Sequence, residues 1–189
     1  MKSLLKLVSA VIAVALVGAC ASPPEAMYMV PRLMGVDTAR GPAPAYRDAI
    51  SIGSVTGGKD TTILHKPYVS NADLRNALMY TLARAKLAQA ENGRFRLDAV
   101  LENLEQPFIA FDITVTATIA YKLTEVATGT VVYDKVLTTP AVAKFIEHGV
   151  ASERLRLANV RAVAANLQQL VDELYALPDR AVSTSLLRP

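Results

Sequence analysis

From Phe111 to Thr124 the chain alternates without a break. Phe111, Ile113, Val115, Ala117, Ile119, Tyr121 and Leu123 share one side, and Asp112, Thr114, Thr116, Thr118, Ala120, Lys122 and Thr124 share the other. Successive side chains of an extended strand point to opposite faces, so this run predicts a long antiparallel strand buried on one face and wet on the other. Such a strand needs partners, and the flanking sequence supplies them. Before it, Phe95, Leu97, Ala99 and Leu101 alternate with Arg96, Asp98, Val100 and Glu102, and Glu105-Gln106-Pro107 makes a turn. After it, Val126-Ala127-Thr128-Gly129 reads as a hairpin leading to a strand from Thr130 to about Thr138, with Val131, Tyr133 and Leu137 facing inward. Pro140 is expected to end that pairing, because it has no N–H to donate. A short first strand, Ala49 to Val55, runs into a turn at Thr56-Gly57-Gly58.

Two amphipathic helices complete the pattern. Ser70 with Asp73 forms a variant capping box ahead of a stripe of Leu74, Leu78, Leu82 and Ala85, and Asn92-Gly93 is expected to end that helix. Ser152 is expected to cap a final helix of about 25 residues, closed by Pro178. Its apolar face carries Val160, Val163, Leu167, Leu170, Val171, Leu174 and Leu177, and its polar face Arg154, Arg161, Gln168 and Asp172. The fold class that follows is α+β. One domain over residues 49–178 forms a two-layer sandwich of a mainly antiparallel four-stranded sheet with two helices on one face, in the order β-α-β-β-β-α. Residues 179–189 read as a disordered tail.

The amino-terminal segment has a different character. Lys2 and Lys6 precede an apolar stretch from Leu7 to Val17, and Gly18-Ala19 stands directly before Cys20, so residues 1–19 have the anatomy of a secretory signal peptide. Crossing a bilayer takes about twenty apolar residues, more than this stretch offers. Val17-Gly18-Ala19-Cys20 resembles the bacterial lipobox, in which the cysteine is acylated and becomes the mature first residue. Cys20 is the only cysteine, so it has no disulfide partner within the chain. By the same resemblance, Ala21 rather than Asp after the cysteine implies sorting to the outer membrane, on its periplasmic face. Residues 20–48, with Pro23, Pro24, Pro31, Pro42 and Pro44 and no sustained period, read as a lipidated tether. Loss of Lys2 and Lys6 with the signal takes the formal charge from +3 to +1, which leaves no footprint for nucleic acid.

Catalytic chemistry finds little support. Gly53-Ser54-Val55-Thr56-Gly57-Gly58-Lys59-Asp60 approaches the phosphate-loop pattern but puts Asp60 where a hydroxyl should hold magnesium, and no helical stripe follows, so no nucleotide is expected. His65 and His148 lie far apart in expected loops, and Met27, Met29 and Met34 have no histidine or free cysteine nearby to complete a soft-metal site. Glu102 and Glu105 fall on a strand and a turn, without sign of an enclosing cleft. No enzyme activity, cofactor or metal is expected. Two surfaces remain for a partner: the Thr114, Thr116 and Thr118 row on the wet sheet face, and Tyr80 with Leu87 on the polar side of the first helix, near Ala83 and Arg84.

Taken with the lipobox, the strand-helix-three-strand-helix order and the Leu123 to Tyr133 run with its Thr-Gly hairpin resemble small envelope lipoproteins of the LPS-assembly (LptE-like) type and ABC-transport auxiliary lipoproteins. The resemblance implies a non-catalytic accessory or assembly subunit of an envelope machine for LPS or lipid transport. Its contacts would be the membrane, through the lipid on Cys20, and a larger envelope protein. A tethered regulator of cell-wall synthesis and a periplasmic small-molecule binder are the alternatives.

Overall fold

The alternating run is a strand over Ile113–Glu125, the centre of the ladder in a computed structural model that describes residues 25–61, 67–107 and 111–179. With β1 (Ile50–Thr56), β2 (Phe95–Glu105) and β4 (Val131–Ala143), this β3 forms one sheet in the order β1-β2-β3-β4. Among the described residues three α-helices accompany it: α1 (Glu25–Tyr28), α2 (Asn71–Arg84) and α3 (Ala151–Tyr175). The sheet is mixed. β2, β3 and β4 pair antiparallel, while β1 runs parallel to β2, because the chain between them crosses over through α2.

Burial follows the period of two. Ile113, Val115, Ala117, Ile119, Tyr121 and Leu123 are buried, and all join one core with Ile50, Phe95, Leu97, Leu74, Leu78, Leu82, Val163, Leu167 and Leu174. Helix α3 lies over β3 and β4, and α2 beside β1, so both cover the same face in a two-layer α+β sandwich. A polar pin fixes α3 to the sheet. Asn166, fully buried, accepts from the Tyr121 hydroxyl at 2.9 Å and donates to the Leu137 carbonyl at 2.9 Å and to Thr139 Oγ1 at 3.2 Å. Thr139 Oγ1 donates in turn to the Ala162 carbonyl at 2.9 Å, so Asn166, Tyr121 and Thr139 are all partnered and the helix has one register on the sheet.

Several boundaries differ from expectation, each for a local reason. Helix α2 ends at Arg84 rather than at Asn92-Gly93. Leu87 N–H donates to Leu82 O and Lys86 N–H to Ala83 O, with Lys86 at φ +54°, which is a Schellman ending with lysine in the left-handed position usually held by glycine. Asn92, at φ +55°, belongs to the turn that feeds β2. Ser70 does cap α2, accepting from Asp73 N at 3.0 Å, but the cap position of α3 is Val150 and Ser152 is exposed within the first turn. Strand β4 continues through Pro140, which sits opposite Thr116, because β4 is an edge strand and one of its sides needs no donors. Phe111 lies outside β3 and is 81% exposed. Arg154, placed by periodicity on the polar face of α3, is buried.

The largest difference concerns residues 25–47. The segment expected to be a tether is a strap laid on the domain: Ala26, Met29, Pro31, Leu33, Pro42 and Tyr46 are buried, and α1 packs on α2 and α3. The Tyr46 ring meets Phe95 at 4.9 Å between centroids, and Gln168 Nε2 donates to the Met34 carbonyl at 3.2 Å. Prolines here set turns between buried anchors; they do not keep the segment free.

Candidate interaction surfaces

The face of the sheet away from the helices is open. Across its middle, Val100, Ala120 and Val136 lie side by side as a narrow apolar band, and Asp98, Lys122 and Asp134 form a charged row next to it. Thr114, Thr116 and Thr118 stand on this face opposite Val142, Pro140 and Thr138. Thr114 is exposed and the other two are half-buried, with Thr118 and Thr138 sharing a hydroxyl hydrogen bond of 3.2 Å. Threonine at these positions suits a strand surface that must stay extended in water.

At the β1 edge a bulge between Ile52 and Val55 is tied from both sides. Arg75 donates to the Gly53 carbonyl at 2.6 Å and the Ile52 carbonyl at 3.1 Å, while Asp98 accepts from Ser54 N at 2.7 Å. Burial would raise the Asp98 carboxyl, but the Ser54 N–H and hydroxyl and the Arg96 guanidinium outweigh it and hold it below its ordinary value. A side chain at position 53 would collide with the Asp98 carboxylate, so Gly53 is required by this approach. The glycine-rich stretch is thus a strand and its turn. Lys59 lies over the Tyr68 ring at 5.6 Å, and the next helix begins only at Asn71; Gly58 N–H donates to Asn71 Oδ1 at 2.7 Å, so the stretch packs beside the start of α2 and does not lead directly into a helix as the phosphate-loop pattern requires.

Tyr80 is exposed on α2, but Leu87 does not join it. As the residue after the left-handed turn, Leu87 folds back against Leu82 and is fully buried, while its carbonyl accepts from Ala49 N and Ile50 N at 3.1 and 2.9 Å. The paired patch expected on this helix is therefore absent. Lys86, where glycine would have been the visible signal, hid the helix end.

Beside the strap, a groove of about 600 Å³ is lined by Asp37, Arg40, Pro42, Arg47, Tyr175 and Asp179, among others. Its charged groups are partly committed to the fold: Arg47 donates to the Arg40 carbonyl at 2.8 Å, and Asp179 accepts from Ala45 N at 3.4 Å.

A further surface is not legible in the periodicity. Where β3 begins and β4 ends, Phe111 and Phe145 pack edge to face at 5.8 Å, and Ile146 beside them is 90% exposed. Phe145 and Val150 add exposures of 51% and 56%. Polar groups behind hold this apolar end in place. Asp112 accepts from Phe145 N at 2.9 Å, Glu147 accepts from Lys144 N at 2.7 Å, and Arg161 grips both Glu147 oxygens at 2.8 and 2.6 Å. The Arg161 hydrogen bonds, with the Lys144 N–H, hold the Glu147 carboxyl down at about 2. Arg154, under the Phe145 ring at 4.8 Å, donates to the His148 and Gly149 carbonyls at 2.7 and 3.1 Å.

Cys20 and His65 lie outside the described residues, as do residues 180–189. Among the described residues no group of three or more His, Cys, Asp or Glu side chains is placed to hold a metal ion, and no helix is long and apolar enough to cross a membrane.

The fold has counterparts among solved bacterial proteins. Protein XCC0632 from Xanthomonas campestris, of the DUF330 family, has a TM-score of 0.52 at 12% identity, over 72% of this chain and 91% of that one. The PelC dodecamer from Paraburkholderia phytofirmans gives 0.50 at 16% identity, over 71% and 92%. A minor lipoprotein from Acinetobacter baumannii gives 0.48 at 12%, over 69% and 94%. The likeness is one of fold. The sequence matches no protein-family model and no curated protein.

Proposed function

We propose that the chain is a non-catalytic outer-membrane lipoprotein, held on the periplasmic face by acyl chains on Cys20. There it serves as an accessory or assembly subunit of an envelope machine, of the LptE-like or transport-auxiliary kind, that moves LPS or lipid. The observation that carries this reading is the strap. With residues 25–47 packed on the domain, only residues 21–24 separate Cys20 from the folded body. At about 3.4 Å per residue the domain is held within roughly 17 Å of its anchor, so its partners are membrane neighbours. A regulator that must reach across the periplasm would need the free tether that the strap consumes. The PelC dodecamer is an instance of this fold built into a larger assembly, and the open sheet face with its threonine row offers contact area for one.

Photo-crosslinking probes at Thr116 and Tyr80 in intact cells test the proposal, with a probe at buried Leu87 as the silent control. Capture of one outer-membrane assembly protein by the probes at Thr116 and Tyr80 is the expected outcome. Fractionation of the chain with the inner membrane, or crosslinks only to bulk periplasmic proteins, contradicts it. The groove between the strap and the end of α3 favours a second reading, a small-molecule binder. A thermal shift on ligand addition that disappears in Arg40→Ala would support that reading instead.

A further inference from the structure

We infer that the apolar end formed by Phe111, Phe145, Ile146 and Val150 rests in the interfacial layer of the bilayer that carries the lipid anchor, so the domain meets the membrane in one fixed orientation. The inference rests on acylation of Cys20.

The exposure at this end is unusual for the molecule. Among the described residues, Ile146, at 90%, and Phe111, at 81%, are the two most exposed large apolar residues, and they stand together. A floppy loop could fold such side chains away, but this turn is braced by Arg161, Asp112 and Arg154 and presents them outward. Contiguous exposed apolar surface of this kind marks a site that something covers.

Reach identifies what covers it. Arg154 lies under Phe145, and Arg156, two residues along α3, lies over the Tyr28 ring at 5.9 Å, so the strap begins at the same end of the helix as the apolar turn. Cys20 is eight residues before Tyr28, within about 28 Å even fully extended, and the single turn of α1 shortens that further. Helix α3 continues for 19 residues beyond Arg156, about 28 Å, which carries the opposite end of the domain away from the anchor. The hairpin at 126–130 lies at that far end, one full β3 length from Phe111. Acyl chains and apolar side chains therefore emerge on one side. Of the charged groups at this end, Glu147 is paired with Arg161, Asp112 accepts the Phe145 N–H, and Lys144 is exposed. Interfacial residues of this type bury about 5–10 Å into the headgroup boundary.

The chain contains no tryptophan, so a single introduced indole reports its own depth. The acylated chain carrying Ile146→Trp is placed in phosphatidylethanolamine and phosphatidylglycerol vesicles with brominated acyl chains, beside an acylated Val136→Trp control on the open sheet face. Because Ile146 is almost fully exposed, the fold tolerates the larger ring. The expected result is a blue-shifted Ile146→Trp emission quenched several-fold more than that of Val136→Trp. Equal quenching in chains that float with the vesicles overturns the inference and leaves anchorage intact. A blue shift without quenching also overturns it, because a second copy or another protein then covers the patch. Failure of the wild-type chain to float shows that the anchorage reading is wrong and takes the inference with it.

Discussion

The strap and the strand ladder are both buried, yet they are written in different ways. In β3 every second residue from Ile113 to Leu123 faces the core, and β2 keeps the same alternation from Phe95 to Leu101, so the pattern repeats and each contact predicts the next. In the strap Ala26, Met29 and Leu33 keep helical spacing only briefly, and Pro31, Pro42 and Tyr46 are set down between turns with no sustained period. Regular elements bury side chains at intervals fixed by their geometry, whereas a strap buries them wherever a turn sets one down. A lack of sustained period therefore says that a segment has no long regular element, and says nothing about whether it is packed.

Removing an anchor of the strap should break this comparison if the strap is ornamental. Tyr46→Ala deletes a fully buried ring that meets Phe95 at 4.9 Å, and should cost about 3–5 kcal/mol, the range for buried aromatic truncation. Urea unfolding checks it: a free tether residue would shift stability by less than about 0.5 kcal/mol. Asn166→Ala tests the ladder side. It leaves the Tyr121 hydroxyl without its acceptor and should cost about 1–3 kcal/mol, with the largest loss of hydrogen-exchange protection where α3 crosses β3 and β4.

What the sequence disclosed divides along the same line. The faces of β3 are legible residue by residue, because one buried face demands strict alternation, and so is most of the apolar stripe of α3. The parallel pairing of β1 follows once α2 is seen to lie between β1 and β2. The strap was not legible, nor was the ending of α2, where Lys86 adopts a conformation usually signalled by glycine. The Tyr80 and Leu87 pair failed for that reason: extending the helix past Arg84 put Leu87 on a face that does not exist. The apolar end was hidden differently. Phe111 continues the inward parity of β3, so alternation assigned it to the core, but the strand begins only at Ile113. Arg154 was likewise assigned to solvent by its position on the helix, whereas the turn at 145–150 folds over it.

The two expected helix caps sharpen the contrast at lower energy. Ser70→Ala removes the acceptor for Asp73 N–H and should destabilise the domain by about 1 kcal/mol in thermal or urea unfolding. Ser152→Ala should leave the midpoint unchanged, because the chain enters α3 at Val150 and Ser152 caps nothing. Equal effects would mean that the chain enters α3 at Ser152, two residues later than Val150.

The smallest effect belongs to the tie that holds the apolar end. Glu147 is gripped by Arg161 through both carboxylate oxygens and also accepts from Lys144 N–H, which lowers its carboxyl to about 2 from an ordinary value of 4.5. A depressed carboxylate stabilises the folded state in full above its unfolded value, and that contribution fades as pH falls through the folded one. The advantage of wild type over Glu147→Gln should therefore be constant from neutral pH down to about 5, shrink between there and 2, and vanish below. Solvent screens this surface pair, so the change should be local, visible as faster exchange of the Phe145 and Glu147 amides. An advantage that persists below pH 2 would mean that Glu147 steadies the turn by shape rather than by charge. The apolar end would then owe its outward stance to packing, as the strap does.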